Sequence, residues 1–330
     1  MASLRMTFLG VIAALAAAAL AGPASPAKNP AASVPQIVFP LVGDVQVDDN
    51  WGDPRPNGRH AGIDLMTPRR TPVVAAEAGK VKWWTTSARA GCMLYLYGVS
   101  GTTYLYIHLN NDQTLKNDNK GGCVAASTYT VADGGQVTAG QLIAWSGDSG
   151  DADGNPHLHF EVHPNDGVDI DPYNALVTGE RLLFPGRIGS KFTVGLRGTP
   201  TTVGAGTLTM AVSAVRWWPG GRWSPIASRV VRLRLATNAK VDESLATQAA
   251  SLGEQAVDRS VNPEQLTAFT SPQKVTASAL RGEPESLVAA RVSRPGGALV
   301  SLTPPDTSPT DTTDTTTTDD PESAFPPRPF

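Results

Sequence analysis

The sequence predicts a mainly β protein, and three observations support this prediction. Glycine and proline are frequent, at 32 and 27 of 330 residues, which favours short strands and turns over long helices. Short strand-like runs lie between glycines and prolines over residues 39–176, for example GKVKWW, TTYLYIHL and HLHFEVH. Farther along, KFTVGLRG, TLTMAVSAV and RVVRLRLA alternate as strands do. We therefore expect an antiparallel β-sheet domain over residues 39–178 and a second, small β-rich domain over residues 185–302.

The two ends of the chain are expected to lie outside these domains. Residues 1–25 combine Arg5 with an apolar stretch and small residues, which is typical of a signal peptide; an uncleaved anchor is the alternative. Residues 26–38 are small, polar and proline-rich, and predict a linker. Residues 303–330 are low-complexity Thr, Asp and Pro that cannot bury enough apolar surface, so a disordered tail is expected. The signal predicts a secreted or periplasmic protein with no stable membrane span after signal cleavage.

The second domain is expected to contain some helix. Residues 243–259 predict an amphipathic helix, and Asn262-Pro263 predicts the start of a second short one. No known motif is evident between residues 185 and 302.

The net charge and the cysteine content bear on the partners and the disulfide bonding of the protein. The net charge of −3 and the isoelectric point of about 6.0 provide no electrostatic reason to expect a nucleic-acid partner. The two cysteines, Cys92 and Cys123, can form one disulfide in an exported chain, and two unpaired thiols are the alternative.

All five histidines lie between positions 60 and 163, and the first belongs to the run His60-Ala-Gly-Ile-Asp64. Gly62 and the nearby prolines argue against a helix here. In a straight strand the two side chains would be about 13 Å apart, too far to share one ion. A metal site would therefore need the chain to curve, and Gly62 is a plausible place for that. Taken alone, this spacing is a weak indication of a metal site.

The other histidines lie on two strand-like segments. Period-2 alternation predicts that four polar side chains of the later segment share one face: His157, His159, Glu161 and His163. The residues between them would face a core: Leu158, Phe160 and Val162. On the earlier segment, alternation places Tyr104, Tyr106 and His108 on one face. For each segment an ordinary solvent-facing strand side is the alternative.

Taken in order, these segments resemble the lysostaphin-type (LytM-like) zinc endopeptidases over about residues 39–176. That family carries HxxxD, YxHL and HLHFEV, which stand here as 60–64, 106–109 and 157–162. Two departures are visible. An insertion covers about residues 116–130, and Arg69-Arg70-Thr71 stands where the family often has Gly before Thr-Pro-Val.

The resemblance implies a catalytic Zn²⁺ site with His60, Asp64 and His159 as the metal ligands. The ion would polarise the scissile carbonyl and activate a water. His157 would act as general base, and His108 would stabilise the oxyanion or hold the water. Glu161 would orient a ligand imidazole or be an ordinary solvated carboxylate.

The implied activity is hydrolysis of peptide bonds in bacterial peptidoglycan, so the expected partner is a peptidoglycan peptide at the cell wall. A non-enzymatic cell-wall-binding or regulatory factor of the same fold is the alternative. Trp217, Trp218 and Trp223 of the second domain could stack on glycan, or could be core residues.

Overall fold

The computed structural model describes residues 34–302, except 57, 85–87, 205, 219–220, 250–253 and 258–264. These residues form a mainly β structure with antiparallel sheets, as predicted. The expected signal peptide, the disordered tail and the helix at Asn262-Pro263 lie outside the described residues. Within them, no helix is both long and apolar enough to cross a membrane.

Ten short strands build the first region. They are β1 (Pro54–Arg55), β2 (Gly58–Arg59), β3 (Ile63–Met66), β4 (Pro72–Val74), β5 (Gly79–Trp84), β6 (Cys92–Gly98), β7 (Thr102–Leu109), β8 (Gln136–Val137), β9 (Leu142–Trp145) and β10 (His157–Pro164). Six of them form an antiparallel sheet in the order β3-β10-β7-β6-β5-β8. Strands β1 and β2 form a hairpin, and β4 pairs with β9. A 3₁₀ turn at Gly150–Ala152 precedes β10, and helix α1 (Tyr173–Thr178) follows it.

Alternation along β10 decides which face of this sheet is core. Leu158, Phe160 and Val162 are fully buried. The ring of Phe160 packs against Tyr104 and Tyr106, with ring centroids 5.9 and 5.2 Å away. Since neighbouring residues of a strand point to opposite faces, the histidines of β10 must lie on the other side of the sheet.

A larger sheet forms the second region. Its strands are β11 (Lys191–Gly204), β12 (Thr207–Trp218), β13 (Ser224–Asp242), β14 (Gln255–Ala256), β15 (Leu266–Thr270), β16 (Gln273–Lys274), β17 (Val288–Ser293) and β18 (Leu299–Ser301). The helices are α2 (Glu243–Ala249) and α3 (Ala277–Arg281). The prediction of one helix through residue 259 was wrong, because Gln255–Ala256 pairs with β11 instead.

The two regions share apolar contacts. The largest core cluster includes Val42 and Val74 from the first region together with residues of β11 to β17. Gly43 also pairs with Ala227 in a β-bridge. The boundaries drawn from the sequence stay predictions, although Ile37, at the end of the expected linker, is already buried.

The expected insertion and the segment just before it are each tied to the sheet. A disulfide joins Cys92, the first residue of β6, to Cys123. Arg69 forms an ion pair with the buried Asp112, and Arg70 donates to the carbonyl oxygens of Asp112 and Thr114 at 2.7 and 2.5 Å. The two departures from the family pattern are therefore physically linked, because the arginines hold the segment that leads into the insertion.

Opening the disulfide is expected to destabilise the protein by about 3 kcal/mol, because its loop of 31 residues constrains the unfolded chain. Urea unfolding of the Cys92→Ser/Cys123→Ser double variant, compared with the parent, measures this. A midpoint equal to that of the parent would contradict the expectation.

Candidate metal centre

The register of β3 against β10 brings the first metal-ligand candidates to the second. Asp64 lies directly opposite His159 in this pairing. The chain bends at Gly62, as the sequence analysis expects, and this bend returns His60 to the same place. Gly62 passes so close to β10 that an added Cβ would lie 2.9 Å from His159 Nε2 and would also collide with the carbonyl oxygen of Phe160. The glycine is needed for this close approach as well as for the bend.

Three ligand atoms converge at this point. His60 Nε2 lies 2.8 Å from His159 Nδ1 and 3.0 Å from Asp64 Oδ1, and His159 Nδ1 lies 2.9 Å from the same carboxylate oxygen. These residues form a group that could hold a metal ion. His60 and His159 are buried, and Asp64 is partly buried.

The outer nitrogen of each ligand imidazole fixes its orientation. His60 Nδ1 lies 2.7 Å from the carbonyl oxygen of Asn50, so this nitrogen carries the proton and donates. His159 Nε2 donates to Glu161 Oε1 at 2.9 Å. When both rings are neutral, the inner nitrogens are both acceptors, and they face a carboxylate oxygen. Three acceptor atoms this close together favour a positive charge between them, which a proton on His159 or a bound cation can supply, so the donor set fits a cation.

The pKa values report the same preference for positive charge. Burial disfavours the charged form of His159, but the carboxylates of Asp64 and Glu161 outweigh it and raise its pKa to about 9. Burial likewise opposes ionisation of Asp64, yet its hydrogen bonds to His159 and His60 hold the pKa of that carboxyl well below its usual range. The pKa of Glu161 falls to about 2 against the effect of burial, because His159 and His163 donate to it.

His157 and His108 lie beside these ligands. His157 Nε2 is 3.5 Å from Asp64 Oδ1, and its Nδ1 donates to the carbonyl oxygen of Asn155 at 2.7 Å. The rings of His108 and His157 are 4.7 Å apart. His108 Nδ1 donates to the carbonyl oxygen of Ser149 at 2.8 Å. Both side chains therefore present an unprotonated Nε2.

Strict alternation gives the wrong face for His108. Tyr104 and Tyr106 point into the core, whereas His108 joins the site on the opposite side. Cys92 pairs with Leu109 and Leu94 with Tyr106, so β7 carries one extra residue at this point. This bulge, with His108 at a φ of 62°, turns the side chain towards His157.

Two residues of the site, Asn50 and Arg55, are not predictable from the sequence. Asn50 accepts from His60 through its backbone carbonyl, and its side-chain oxygen accepts from the backbone N–H of Asp64 at 3.1 Å. Arg55 on β1 donates to Asp64 Oδ2 at 2.9 Å. No motif spacing marks either residue, because one acts through its backbone and the other reaches the site from a separate hairpin.

His163 lies at the outer edge of the site. Its Nε2 donates to Glu161 Oε2 at 2.7 Å, and its Nδ1 bonds to the carbonyl oxygen of Gly167. It makes no contact with the three converging ligand atoms among the bonds of the described residues. His163 therefore supports Glu161, which in turn holds His159.

A cleft of about 470 Å³ opens over the cluster. It is lined by the four inner histidines and Asp64, and its rim includes Arg55, Arg59, Arg89 and Asp151. Arg59 and Arg89 are held by ion pairs with Asp169 and Asp151. The cluster is therefore accessible to a substrate.

Replacing Glu161 with alanine is expected to weaken metal binding about 10–100-fold, because His159 loses the acceptor that orients its ring. Zinc affinity measured by competition with a chelator tests this. Glu283→Ala, which removes a surface carboxylate paired with Arg281, is the control and should leave the affinity unchanged. Equal affinities for the two variants would show that Glu161 does not support the ligand.

Residues 58–172 match the family described as Peptidase family M23. Among solved structures, the chain is similar to a putative peptidase M23 from Pseudomonas aeruginosa, at 24% identity over 43% of this chain and 50% of that chain, with a TM-score of 0.32. It is also similar to the catalytic domain of the antimicrobial peptidase lysostaphin from Staphylococcus simulans, at 29% identity over 40% and 92%, with a TM-score of 0.32. A zinc containing peptidase from Vibrio cholerae matches at 27% identity over 43% and 39%, with a TM-score of 0.32. The chain thus spans half of the Pseudomonas protein and less than half of the Vibrio one.

The family match encloses the candidate metal centre. Residues 58–172 are a Peptidase family M23 domain, which confirms the resemblance carried by the motifs.

Proposed function

We propose that this protein is a zinc-dependent endopeptidase that hydrolyses peptide bonds of bacterial peptidoglycan. The observation that carries the proposal is the convergence of His60, Asp64 and His159 within 3.0 Å of one another, beside two further histidines in an open cleft. The M23 family and the predicted export signal support a cell-wall peptide as the substrate and a secreted or periplasmic location.

His60, Asp64 and His159 would hold Zn²⁺, which supplies Lewis-acid polarisation of a carbonyl and lowers the pKa of a water. Nitrogen and carboxylate donors of this kind suit zinc. Asn50, Arg55 and Glu161 keep these side chains in place through the hydrogen bonds described above.

His157 is the general base of the proposed mechanism. Its Nδ1–H is committed to the carbonyl oxygen of Asn155, so Nε2 is free to accept a proton from the attacking water. The water oxygen then bonds to the carbonyl carbon. As the carbon–nitrogen bond breaks, His157 returns the proton to the leaving amine nitrogen.

The hydrogen bonds of His108 favour one of its two expected roles. Burial and the neighbouring His157 lower the pKa of His108 to about 4, so the ring is neutral near pH 7. Its Nδ1–H already donates to Ser149, which leaves Nε2 as an acceptor. A neutral His108 can therefore hold a hydrogen of the water, but it has no N–H to donate to an oxyanion.

Chemical analysis of digested cell walls tests the proposed activity. Purified peptidoglycan treated with the protein should release new amino groups and no new reducing sugars, and mass spectrometry of the fragments should locate the bond. Wall binding without any cleavage would favour the non-enzymatic factor, and new reducing ends would identify a different activity.

A further inference from the structure

A second cavity, of about 360 Å³, lies between the first region and the second region, next to the expected insertion. Four parts of the chain surround it: Arg70, residues 113–115 just before the expected insertion, Trp145 at the end of β9, and residues 222–224 before and at the start of β13. Its lining shares no residue with the catalytic cleft. The volume is at the low end of small-molecule pockets, which suits a ligand of about one ring.

Two indole rings in the wall are braced from outside the cavity. Trp145 stacks on Trp217, with ring centroids 6.2 Å apart and an interplanar angle of 29°. The guanidinium carbon of Arg197 lies 4.3 Å from the ring centroid of Trp223. The ring centroids of Trp223 and Phe269 are 6.2 Å apart. Because their neighbours already fix these rings, they lose little side-chain conformational entropy when a ligand binds. The three tryptophans singled out in the sequence therefore do not share one platform, since Trp217 supports Trp145 and Trp223 lines the cavity itself.

Two arginines give the same cavity a positive charge. Arg222 is exposed and forms no ion pair with any described residue. Arg70 donates through Nη2 to carbonyl oxygens, while its Nε is buried and has no hydrogen-bond partner among the described residues. Burial, and after it the charges of Arg222 and Arg69, lower the pKa of Arg70 against the opposing effect of Asp112. Because Arg70 and Arg222 line the same cavity, a carboxylate placed between them would be attracted to both guanidinium groups.

We infer that this cavity binds a carboxylated sugar ring, with the ring against Trp145 and Trp223 and the carboxylate at Arg222 and Arg70. The choice of a sugar rests on the proposed function, because peptidoglycan contains such a sugar in N-acetylmuramic acid. Its carboxylate is free only where the stem peptide has been removed. The ligand is therefore a glycan end or segment without peptide, and an amide-cleaving reaction must supply it.

Titration of the full chain with three probes tests the inference: N-acetylmuramic acid, N-acetylglucosamine and D-lactate. The first has both ring and carboxylate, the second lacks the carboxylate, and the third lacks the ring. Binding is followed by tryptophan fluorescence and by ligand-observed NMR. N-acetylmuramic acid should bind about ten-fold more tightly than N-acetylglucosamine, since a charged hydrogen bond contributes roughly this much. It should also bind more tightly than D-lactate, which has no ring to pack against Trp145 and Trp223.

The variant Arg222→Gln should lose the preference for the carboxylated sugar. Arg216→Gln is the matched control, because Arg216 is an exposed arginine on β12 that does not line the cavity, and it should keep the preference. Equal binding of the two sugars by the parent, binding of neither, or an unchanged preference in Arg222→Gln would overturn the inference.

The test of sugar binding and the test of the proposed peptidase function can fail independently of each other. The variant His159→Ala removes a metal-ligand candidate and should bind N-acetylmuramic acid as the parent does. Sugar preference without wall hydrolysis would leave the cavity assigned and the peptidase refuted, whereas hydrolysis without sugar preference would refute the cavity alone.

Discussion

Replacing His157 with alanine is expected to lower the rate of wall-peptide hydrolysis about 10²–10⁴-fold while zinc stays bound, because the variant loses its general base and keeps all three ligands. In the structure, His157 is close to the metal-ligand candidates, with Nε2 3.5 Å from Asp64 Oδ1, but it is not one of the three converging groups. The variant should therefore lose hydrolysis rate and keep its zinc content.

This prediction is tested by measuring the release of new amino groups and the zinc content on the same preparation. His163→Gln is the control, because His163 is the last histidine of the same strand and the amide of glutamine can still donate to Glu161. It should keep most of its rate. A His157→Ala protein that lost zinc together with activity would contradict the role of general base, and one with full activity would exclude His157 from the reaction.

Replacing Gly62 with alanine is expected to abolish tight zinc binding. The added Cβ would collide with the backbone of β10 at Phe160 and approach His159 Nε2, and no flexible side-chain end is available to yield at the backbone contact. The segment from His60 to Asp64 must then move away from His159. Overpacking of this kind also costs about 1–3 kcal/mol of stability.

Zinc affinity and the midpoint of thermal unfolding measure the two parts of this prediction. Gly206→Ala is the matched control, since a Cβ there meets no atom within 4 Å, and it should change neither quantity. A Gly62→Ala protein that binds zinc as tightly as the parent would show that the segment tolerates displacement from β10.

The alternation along β10 predicted its two faces from the sequence, because both a core set and a polar set recur at every second residue. The same reasoning failed for His108, since one extra residue in β7 reverses the alternation and no local pattern marks that bulge. The curve at Gly62 was predictable from the distance between His60 and Asp64. The second reason for a glycine at position 62 is its close approach to β10. This approach depends on which strands pair, so only the structure shows it.

The groups that support the ligands were harder to predict. Glu161 is predictable because alternation places it on the same face as His159, whereas Asn50 and Arg55 contact the site from a loop and a hairpin. In the second region, the pattern of residues 243–259 predicted one helix, whereas the described helix covers Glu243–Ala249 and residues 255–256 pair with β11. A pairing partner more than fifty positions away outweighs the local pattern there.

The central claim is that His60, Asp64 and His159 hold a catalytic zinc ion. Its most direct test is the zinc content of the purified protein together with the loss of turbidity of purified cell walls, for the parent and for His159→Ala. We expect close to one zinc per chain with lysis in the parent, and the loss of both in the variant. A parent protein that binds no zinc, or a variant that retains both zinc and lysis, would contradict it.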